Sequence, residues 1–494
     1  MIICYAKFTK MSASFDGAII FELTNQKNNN GPFAIRPLGP FALHEVFVER
    51  DIPSTVINYV DFWNPEVLAM DILNWCKNNN IKKPLLLGSA LFNNRTLDPR
   101  MTFGMAVNIL KEHLDCTVIL GGPNHGYAYD SRNGKTDCGK PLLKPDYIFI
   151  GRALHLFENW IDGDVAINFE DYDGLKAIKP LTSSVIEKPI ISDLYDDYCL
   201  QSTDVLNFET RLGCKFNCTF CNFEFRNAKN IEDSSCEALA SFFQKAKTEY
   251  GITNFSCVDD TFNEDEVKLD NLLNAIRYLD YQPKICGFTR FDLLMAKQHQ
   301  LEKFDEIGFH GHFFGIETLH PVASKNIRKN TRKEQAYEFL KYIKEHYPHW
   351  YIISTYIIGL PGEPLEHAME VMKHICKHKL VDAISINSLH LEEQTHGSEH
   401  ASMMVKDPGK FGLEVTHKSD YSGGTEIFWK HEFADNKSAD AFKLRARSYC
   451  RKNGLIDKSC WDWLISEAVN GPGIEPQISH ISNYIKEKSN YLNN

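Results

Sequence analysis

The sequence contains no stretch of about 18 apolar residues, so no membrane-spanning helix is expected. Met1 to Phe21 lacks a basic start followed by a long apolar run, which argues against a secretory leader. Positive charge is not in excess: 54 lysines and arginines face 65 aspartates and glutamates, for a net charge of −11 and a pI near 6.0. A general nucleic-acid binder is therefore not expected, although a local basic groove stays compatible with that balance. Cysteine is too sparse for a disulfide scaffold, at 14 in 494 residues. Thiols in that number fit a reducing compartment, read here as the cytoplasm. The rest of the composition, 43% hydrophobic and 24% charged, is that of a globular chain long enough for two or three domains.

Against this background three cysteines stand out. Cys214, Cys218 and Cys221 fall within eight residues at the spacing C-x3-C-x2-C. They follow an apolar strand, Val205 to Phe208, on the loop that leaves it. The next cysteine is Cys236, so no fourth ligand completes a tetrahedral set nearby. Three thiolates with an open fourth corner suit a cubane iron–sulfur cluster better than structural zinc, which takes four protein ligands. Ordinary buried thiols, or part of a zinc site, are the alternatives.

Strand and helix signals alternate on both sides of this loop. Before it, helical spacing over 39–48 and 66–78 alternates with strand-like runs at 55–61, 83–89, 116–124 and 146–151, with further helices over 101–114 and 153–160. Short apolar runs closed by glycines read as buried parallel strands, here ending at Gly88, Gly121 and Gly151. This pattern predicts a doubly wound, Rossmann-like α/β domain over 1–168, whose ligands bind beyond the carboxyl ends of its strands. Residues 169–204 have no sustained period and read as a linker. From 205 to 390, six strand–helix units predict a partial (β/α)6 TIM-like barrel, with strands near 205–208, 254–258, 284–288, 312–316, 351–358 and 383–387. Residues 391–494 read as a small, mostly helical cap over the substrate. At its start and within it, His390, His396 and His431 are candidate acid–base groups, although surface or packed histidines are the commoner case. Cys450 and Cys460 lack the companions that a second cluster would need.

The cysteine segment, with Phe220 just before the third cysteine, resembles the cluster-binding motif of the radical S-adenosylmethionine (radical SAM) enzymes. The resemblance implies that Cys214, Cys218 and Cys221 hold a [4Fe–4S] cluster and that SAM chelates the open iron. It also assigns roles to the barrel's strand ends. Asp259 and Asp260 would bond the SAM amino group or ribose hydroxyls, with an N-cap at Asn263 or Asp265 as the plainer reading of that stretch. Arg290 suits a carboxylate, and equally a salt bridge to Asp292 or Asp259. Glu317 lies in a G-I-E element that often contacts SAM. Gly359, Pro361 and Gly362 lie in a G-x-P-G-E loop whose backbone packs against adenine.

Upstream, Ser89-Ala90-Leu91 and Gly121-Gly122 are similar to the S-x-L element and glycine pair of the cobalamin-binding domains that precede many radical SAM domains. Gly151 would belong to the same edge. The Asp-x-His-x-x-Gly element that ligates cobalt from below is missing, as it is in many such proteins. A Rossmann-like domain without cofactor is the alternative. The expected activity is reductive cleavage of SAM to a 5′-deoxyadenosyl radical, with cobalamin-dependent C-methylation of an unactivated carbon. The resemblance also implies an electron donor such as flavodoxin or ferredoxin. Radical rearrangement, cyclisation or oxidation without methyl transfer, and a non-catalytic zinc or metal-binding protein, are the competing functions. The substrate is not legible.

Overall fold

The computed structural model describes residues 15–23, 35–36, 38–89, 98–122, 145–150, 153–163, 170–172, 175–178, 189–192, 200–222, 233–394, 401–421, 424–457, 461–471 and 483–487. It begins with a strand absent from the sequence reading, Gly17–Glu22 (β1), buried along its whole length. Ile35–Arg36 (β2), Leu38–Val48 (α1), Ser54–Ile57 (β3), Pro65–Asn78 (α2), Pro84–Ser89 (β4), Asp98–Lys111 (α3), Thr117–Gly122 (β5), Tyr147–Ile150 (β6) and Leu154–Asp162 (α4) follow. Local chemistry starts these elements where expected. Asn64 caps α2 by accepting from the N–H groups of Glu66 and Val67 at 2.9 and 3.1 Å, with Pro65 in the first turn.

The first sheet has the order β3-β1-β4-β5-β6, all parallel. Numbered by occurrence within the sheet, that order is 2-1-3-4-5, a doubly wound topology with its ligand edge at the strands' carboxyl ends. Ala18, Ile20, Leu85, Leu87, Ile119 and Phe149 face α1 and α4, whereas Ile19, Phe21, Leu86, Val118 and Leu120 face α2 and α3. Burial on both faces explains why these strands read as unbroken apolar runs. The predicted linker is not merely a connection. Glu170–Tyr172 (β7) and Leu175–Ile178 (β8) form a hairpin that extends the first sheet, with β8 parallel to β6.

The second sheet supplies the six expected barrel strands in sequence order. They are Val205–Phe208 (β9), Asn254–Cys257 (β10), Lys284–Thr289 (β11), Phe309–Glu317 (β12), Tyr351–Ile358 (β13) and Ala383–Ser388 (β14), each parallel to the next. Between them lie Cys236–Tyr250 (α5), Glu266–Arg277 (α6), Phe291–Ala296 (α7), Gln300–Ile307 (α8), Pro321–Asn326 (α9), Lys333–His346 (α10) and Leu365–His378 (α11). The barrel edge at β9 is covered by β2, so residues from the expected N-terminal domain belong to the barrel's sheet.

The C-terminal region is Leu391–Gln394 (β15), Met403–Lys406 (α12), Glu414–Tyr421 (β16), Gly424–His431 (β17), Ala434–Asp435 (β18), Asn436–Lys452 (α13), Ile456–Asp457 (β19) and Trp461–Asn470 (α14). Beside the expected helices it carries an antiparallel sheet in which β17 pairs with β15, β16 and β18. β19 covers the barrel's other edge by pairing with β14. Helix α14 packs on β10 to β13 inside the open barrel, where Leu464, Ala468 and Val469 join Val205, Cys286, Phe313, Ile353 and Ala383 in one apolar cluster. Glu467 accepts from the Tyr351 hydroxyl, and Asn470 from the Asn254 amide, both at 2.8 Å and both at the strands' amino ends. The barrel is therefore filled from its amino end, which leaves the carboxyl ends of the strands, where catalytic residues sit in such folds, to carry the site. Among the described residues no helix is long and apolar enough to cross a membrane.

Candidate active site

The loop after β9 is held by charge before it presents any thiol. Asp259, at the end of β10, is 2% exposed. Its carboxylate accepts from the Thr210 N–H at 2.8 Å, the Arg211 N–H at 3.3 Å, the Thr210 hydroxyl and the Lys268 ammonium at 2.9 Å. A buried carboxylate without such partners would be costly. These bonds correct the ligand-facing role expected of Asp259: it anchors the cysteine loop from within. Arg211 continues the anchorage, paired with Asp233 and lying 3.1 Å from Asp265. The Lys215 N–H donates to Glu264 at 2.9 Å. Asp265 also caps α6 by accepting from the Val267 N–H, as the plainer reading of that stretch anticipated. Asp260 is half-buried, and its carbonyl accepts from the Thr261 hydroxyl at 2.8 Å.

The thiols then face polar neighbours. Cys214 Sγ lies 3.4 Å from Thr261 Oγ1 and accepts from the Phe216 N–H at 3.5 Å. Burial pushes this thiol up from its ordinary pKa. Cys218 Sγ accepts from Arg290 Nη1 at 3.3 Å, and the Cys221 N–H donates to the Cys218 carbonyl at 3.2 Å. Phe220 is partly buried against the main core. Among the described residues no three His, Cys, Asp or Glu side chains converge on one point as a single metal ion would require. A multi-iron cluster differs from such an ion in taking each thiolate on a separate iron, and N–H donors aimed at the sulfurs suit its negative charge.

Arg290 departs from the expected carboxylate-binding role. Its guanidinium makes a two-pronged pair with Asp292 at 2.9 and 3.0 Å, donates to the Arg328 carbonyl at 2.9 Å and to Cys218, and lies 3.9 Å over the Phe216 ring. Of the two readings open in the sequence, the salt bridge to Asp292 is the one the fold adopts.

Glu317 sits where the β12–β13 register breaks, with φ of +66°. That conformation is strained for a residue with a side chain and is typical of functional sites. Its carboxylate pairs with Lys329 at 3.2 Å, and Lys329 also donates to the Gly315 carbonyl at 2.5 Å. The loop that supplies Lys329 escaped the sequence reading, yet it ties the site together. Asn326 accepts from the Thr219 hydroxyl through its carbonyl at 2.8 Å and donates to the Pro361 carbonyl through its amide at 3.0 Å. Arg328 and Asn330 take φ of +63° and +52°. The signal was the polar run Asn326-Ile327-Arg328-Lys329-Asn330, with two cations behind a short helix.

The loop after β13 contains Gly359 and Gly362, with φ of +86° and +92°. A Cβ on Gly359 would fall 2.5 Å from Trp429, and the Gly359 carbonyl accepts from His431 at 3.1 Å. Glu363, 2% exposed, fixes the loop from below by accepting from Tyr356, Thr318 and His367 at 2.6, 2.8 and 2.9 Å. His431 is thus packed against the loop, and His390 is half-exposed beside Glu392 and Glu426. His396 and Cys460 lie outside the described residues.

In the first sheet Ser89 and Gly121 are direct neighbours on β4 and β5, and Gly122 has φ of +118°. A Cβ on Gly88 would fall 2.7 Å from both Leu120 and Leu23, so packing alone requires that glycine. A Cβ on Gly121 would meet only ordinary contacts, 3.5 Å or more, with Phe149. The small residues at this edge therefore leave room that their described neighbours do not demand. Leu91 and Gly151 lie outside the described residues.

Comparison with known proteins bears on both halves. Residues 209–375 match the model of the radical SAM superfamily. An uncharacterized methyltransferase of Pyrococcus horikoshii is 28% identical over 270 residues, which is 52% of this chain and 57% of that protein, so the match spans little more than half of the relative. The structure of the radical SAM methyltransferase TsrM from Kitasatospora setae, with cobalamin and a [4Fe–4S] cluster bound, superposes with a TM-score of 0.59 at 10% identity, over 97% of this chain and 99% of that one. The cobalamin-dependent SAM radical enzyme OxsB superposes with a TM-score of 0.56 at 11% identity, over 89% and 67%. At such identities the two structures speak for the fold.

Proposed function

Residues 209–375 form a radical SAM domain, and from that premise we propose that the protein is a cobalamin-dependent radical SAM enzyme that methylates an unactivated carbon. The observation that carries the proposal is the pairing of two edges in one chain: a three-thiol loop at the carboxyl end of β9 in the barrel, and the Ser89, Gly121 and Gly122 edge of a 2-1-3-4-5 sheet. The fold shared with TsrM and OxsB, and the methyltransferase name of the Pyrococcus relative, support the same reading.

Cys214, Cys218 and Cys221 would hold the [4Fe–4S] cluster, and the small residues of β4 and β5 would admit the corrinoid's nucleotide tail. When bound, these groups and SAM supply an adenosyl radical and a transferable methyl group. The chain's own part is orientation and exclusion of water. Glu317, held by Lys329, and Asp260, on the loop after β10, would offer carboxylates to the SAM amino or ribose groups. The backbone of Gly359, Pro361 and Gly362, fixed by Glu363, offers a flat seat for adenine. Trp429 and His431 of the C-terminal sheet close over that loop, and a small one-electron donor such as flavodoxin or ferredoxin would feed the cluster.

The test is anaerobic reconstitution followed by incubation with SAM and reductant. The expected results are about four irons per chain, 5′-deoxyadenosine as a product, and a corrinoid that copurifies. Cys218→Ala should abolish both iron retention and SAM cleavage; unchanged values in that variant would remove the cluster assignment. Replacing Gly121 and Gly122 with leucines should expel the corrinoid and spare the iron. A product heavier by one methylene unit marks methylation, and an unchanged carbon count marks a rearrangement, cyclisation or oxidation instead.

A further inference from the structure

We infer that Arg290 and Asp292 act as a pair that sets the reduction potential of the cluster at the cysteine loop, through the hydrogen bond from Arg290 to Cys218. The inference rests on the cluster reading above and gives the two residues a task apart from binding SAM.

Four of the guanidinium's five N–H groups are already engaged, two by Asp292, one by the Arg328 carbonyl and one by Cys218 Sγ. Little is left for a substrate carboxylate, and the group that the site does reach is a cluster sulfur. The position is tightly fixed. The Arg290 N–H donates to Asn263 Oδ1 at 2.8 Å, and the Arg290 carbonyl accepts from the Asn263 amide at 3.1 Å. The guanidinium carbon lies 3.9 Å from the centre of the Phe216 ring, and the same residue's N–H donates to Cys214. One cation is thus seated against two of the three cysteines' surroundings.

Hydrogen bonds to cluster sulfurs and local charge are the protein's means of setting a cluster's potential. A positive donor at Cys218 stabilises the reduced, more negative cluster and raises the potential. Asp292 works the other way, because its carboxylate offsets the charge of that donor. Their side chains are 8% and 17% exposed, so solvent and salt screen neither strongly. The two residues are therefore opposed controls on one sulfur.

The experiment is a redox titration of the reconstituted cluster, followed by electron paramagnetic resonance, in the wild-type chain, Arg290→Gln and Asp292→Asn. Iron and sulfide content is measured in each. The midpoint should move negative in Arg290→Gln and positive in Asp292→Asn, at wild-type iron content. A purely structural role would lower cluster content in both variants and move neither midpoint, or move both in one direction, and either result overturns the inference. If Arg290→Gln fails to hold iron, Asp292→Asn decides alone: no positive shift overturns it. A wild-type chain that takes up no iron and sulfide fails earlier, at the cluster reading itself, and is distinguished by that measurement.

Discussion

His312 lies outside the site but gives the fold an acid limit. The ring is fully buried in β12, 4.1 Å from the Trp350 ring, with Nε2 donating to the Phe309 carbonyl at 3.1 Å and Nδ1 without a hydrogen-bond partner among the described residues. Burial lowers its pKa to about 3. The unfolded chain takes up this proton near pH ~6.5, so protonation favours unfolding between those values. Stability should be intact above pH ~6.5 and fall by about 1.4 kcal/mol per pH unit below it, until the folded ring itself titrates. His312→Phe should flatten that slope, which thermal melts from pH 7 to 5 would reveal; a slope identical to wild type would exclude His312 as its source. A second residue-scale prediction concerns Lys268, which is 1% exposed and bonds both Asp259 and the Thr261 carbonyl. Lys268→Met should cost about 3–5 kcal/mol, because it strands a buried carboxylate. It should also loosen the cysteine loop, lowering iron content per chain together with the melting temperature. Single residues also mark where the sequence stopped being informative. The cysteine spacing announces the loop, and the strand-end positions of Glu317 and Gly359 follow from the α/β alternation. Whether Asp259 faces a ligand or a lysine depends on Lys268, in the first turn of the next helix, and no local pattern encodes that pairing.

Among the elements, the parallel strands were legible because burial on both faces leaves an unbroken apolar run, as in Leu85-Leu86-Leu87 or Ile352-Ile353. β1 has the same character, but a six-residue run from Gly17 to Glu22 is not separable by period from a buried helical turn. β16, with the sequence EVTHKSDY, offers no apolar run at all and owes its place to pairing with β17. Helix α14 is the element whose position was least expected. Gly311 makes room for it: a Cβ there would fall 2.6 Å from Cys286 Cβ and collide with Ala468. Gly311→Ala should therefore destabilise the chain by about 1–3 kcal/mol through overpacking. Ala468→Gly in the same chain should return part of the loss, because it removes the facing methyl group. Melting temperatures of the two single variants and the double variant measure this coupling. Strict additivity of the two effects would show that α14 does not press on Gly311.

At the scale of the whole molecule, the two expected domains share structure. β2, from the N-terminal part, edges the barrel's sheet, and β7 and β8, from the expected linker, edge the first sheet. One buried apolar cluster runs from Phe41, Phe47, Phe149 and Phe157 to Phe208, Phe243 and Phe255 and on through the barrel. A cut at residue 168 would strip β6 of β8, its neighbour on one side, and expose a row of unpaired backbone groups, a ready site for aggregation. The same continuity predicts how the chain melts. If the core is mechanically one, the first sheet and the barrel lose structure together, and a cavity in one is felt by both. Phe47 is fully buried and packs against Phe157 at 5.8 Å between ring centres. Phe47→Ala should remove about 3–5 kcal/mol. Calorimetry should then show one transition in the wild-type chain and one, lower, in the variant. Two resolved transitions, with only one displaced by Phe47→Ala, would mean that the first sheet unfolds by itself and that the cofactor edges sit on independently stable supports.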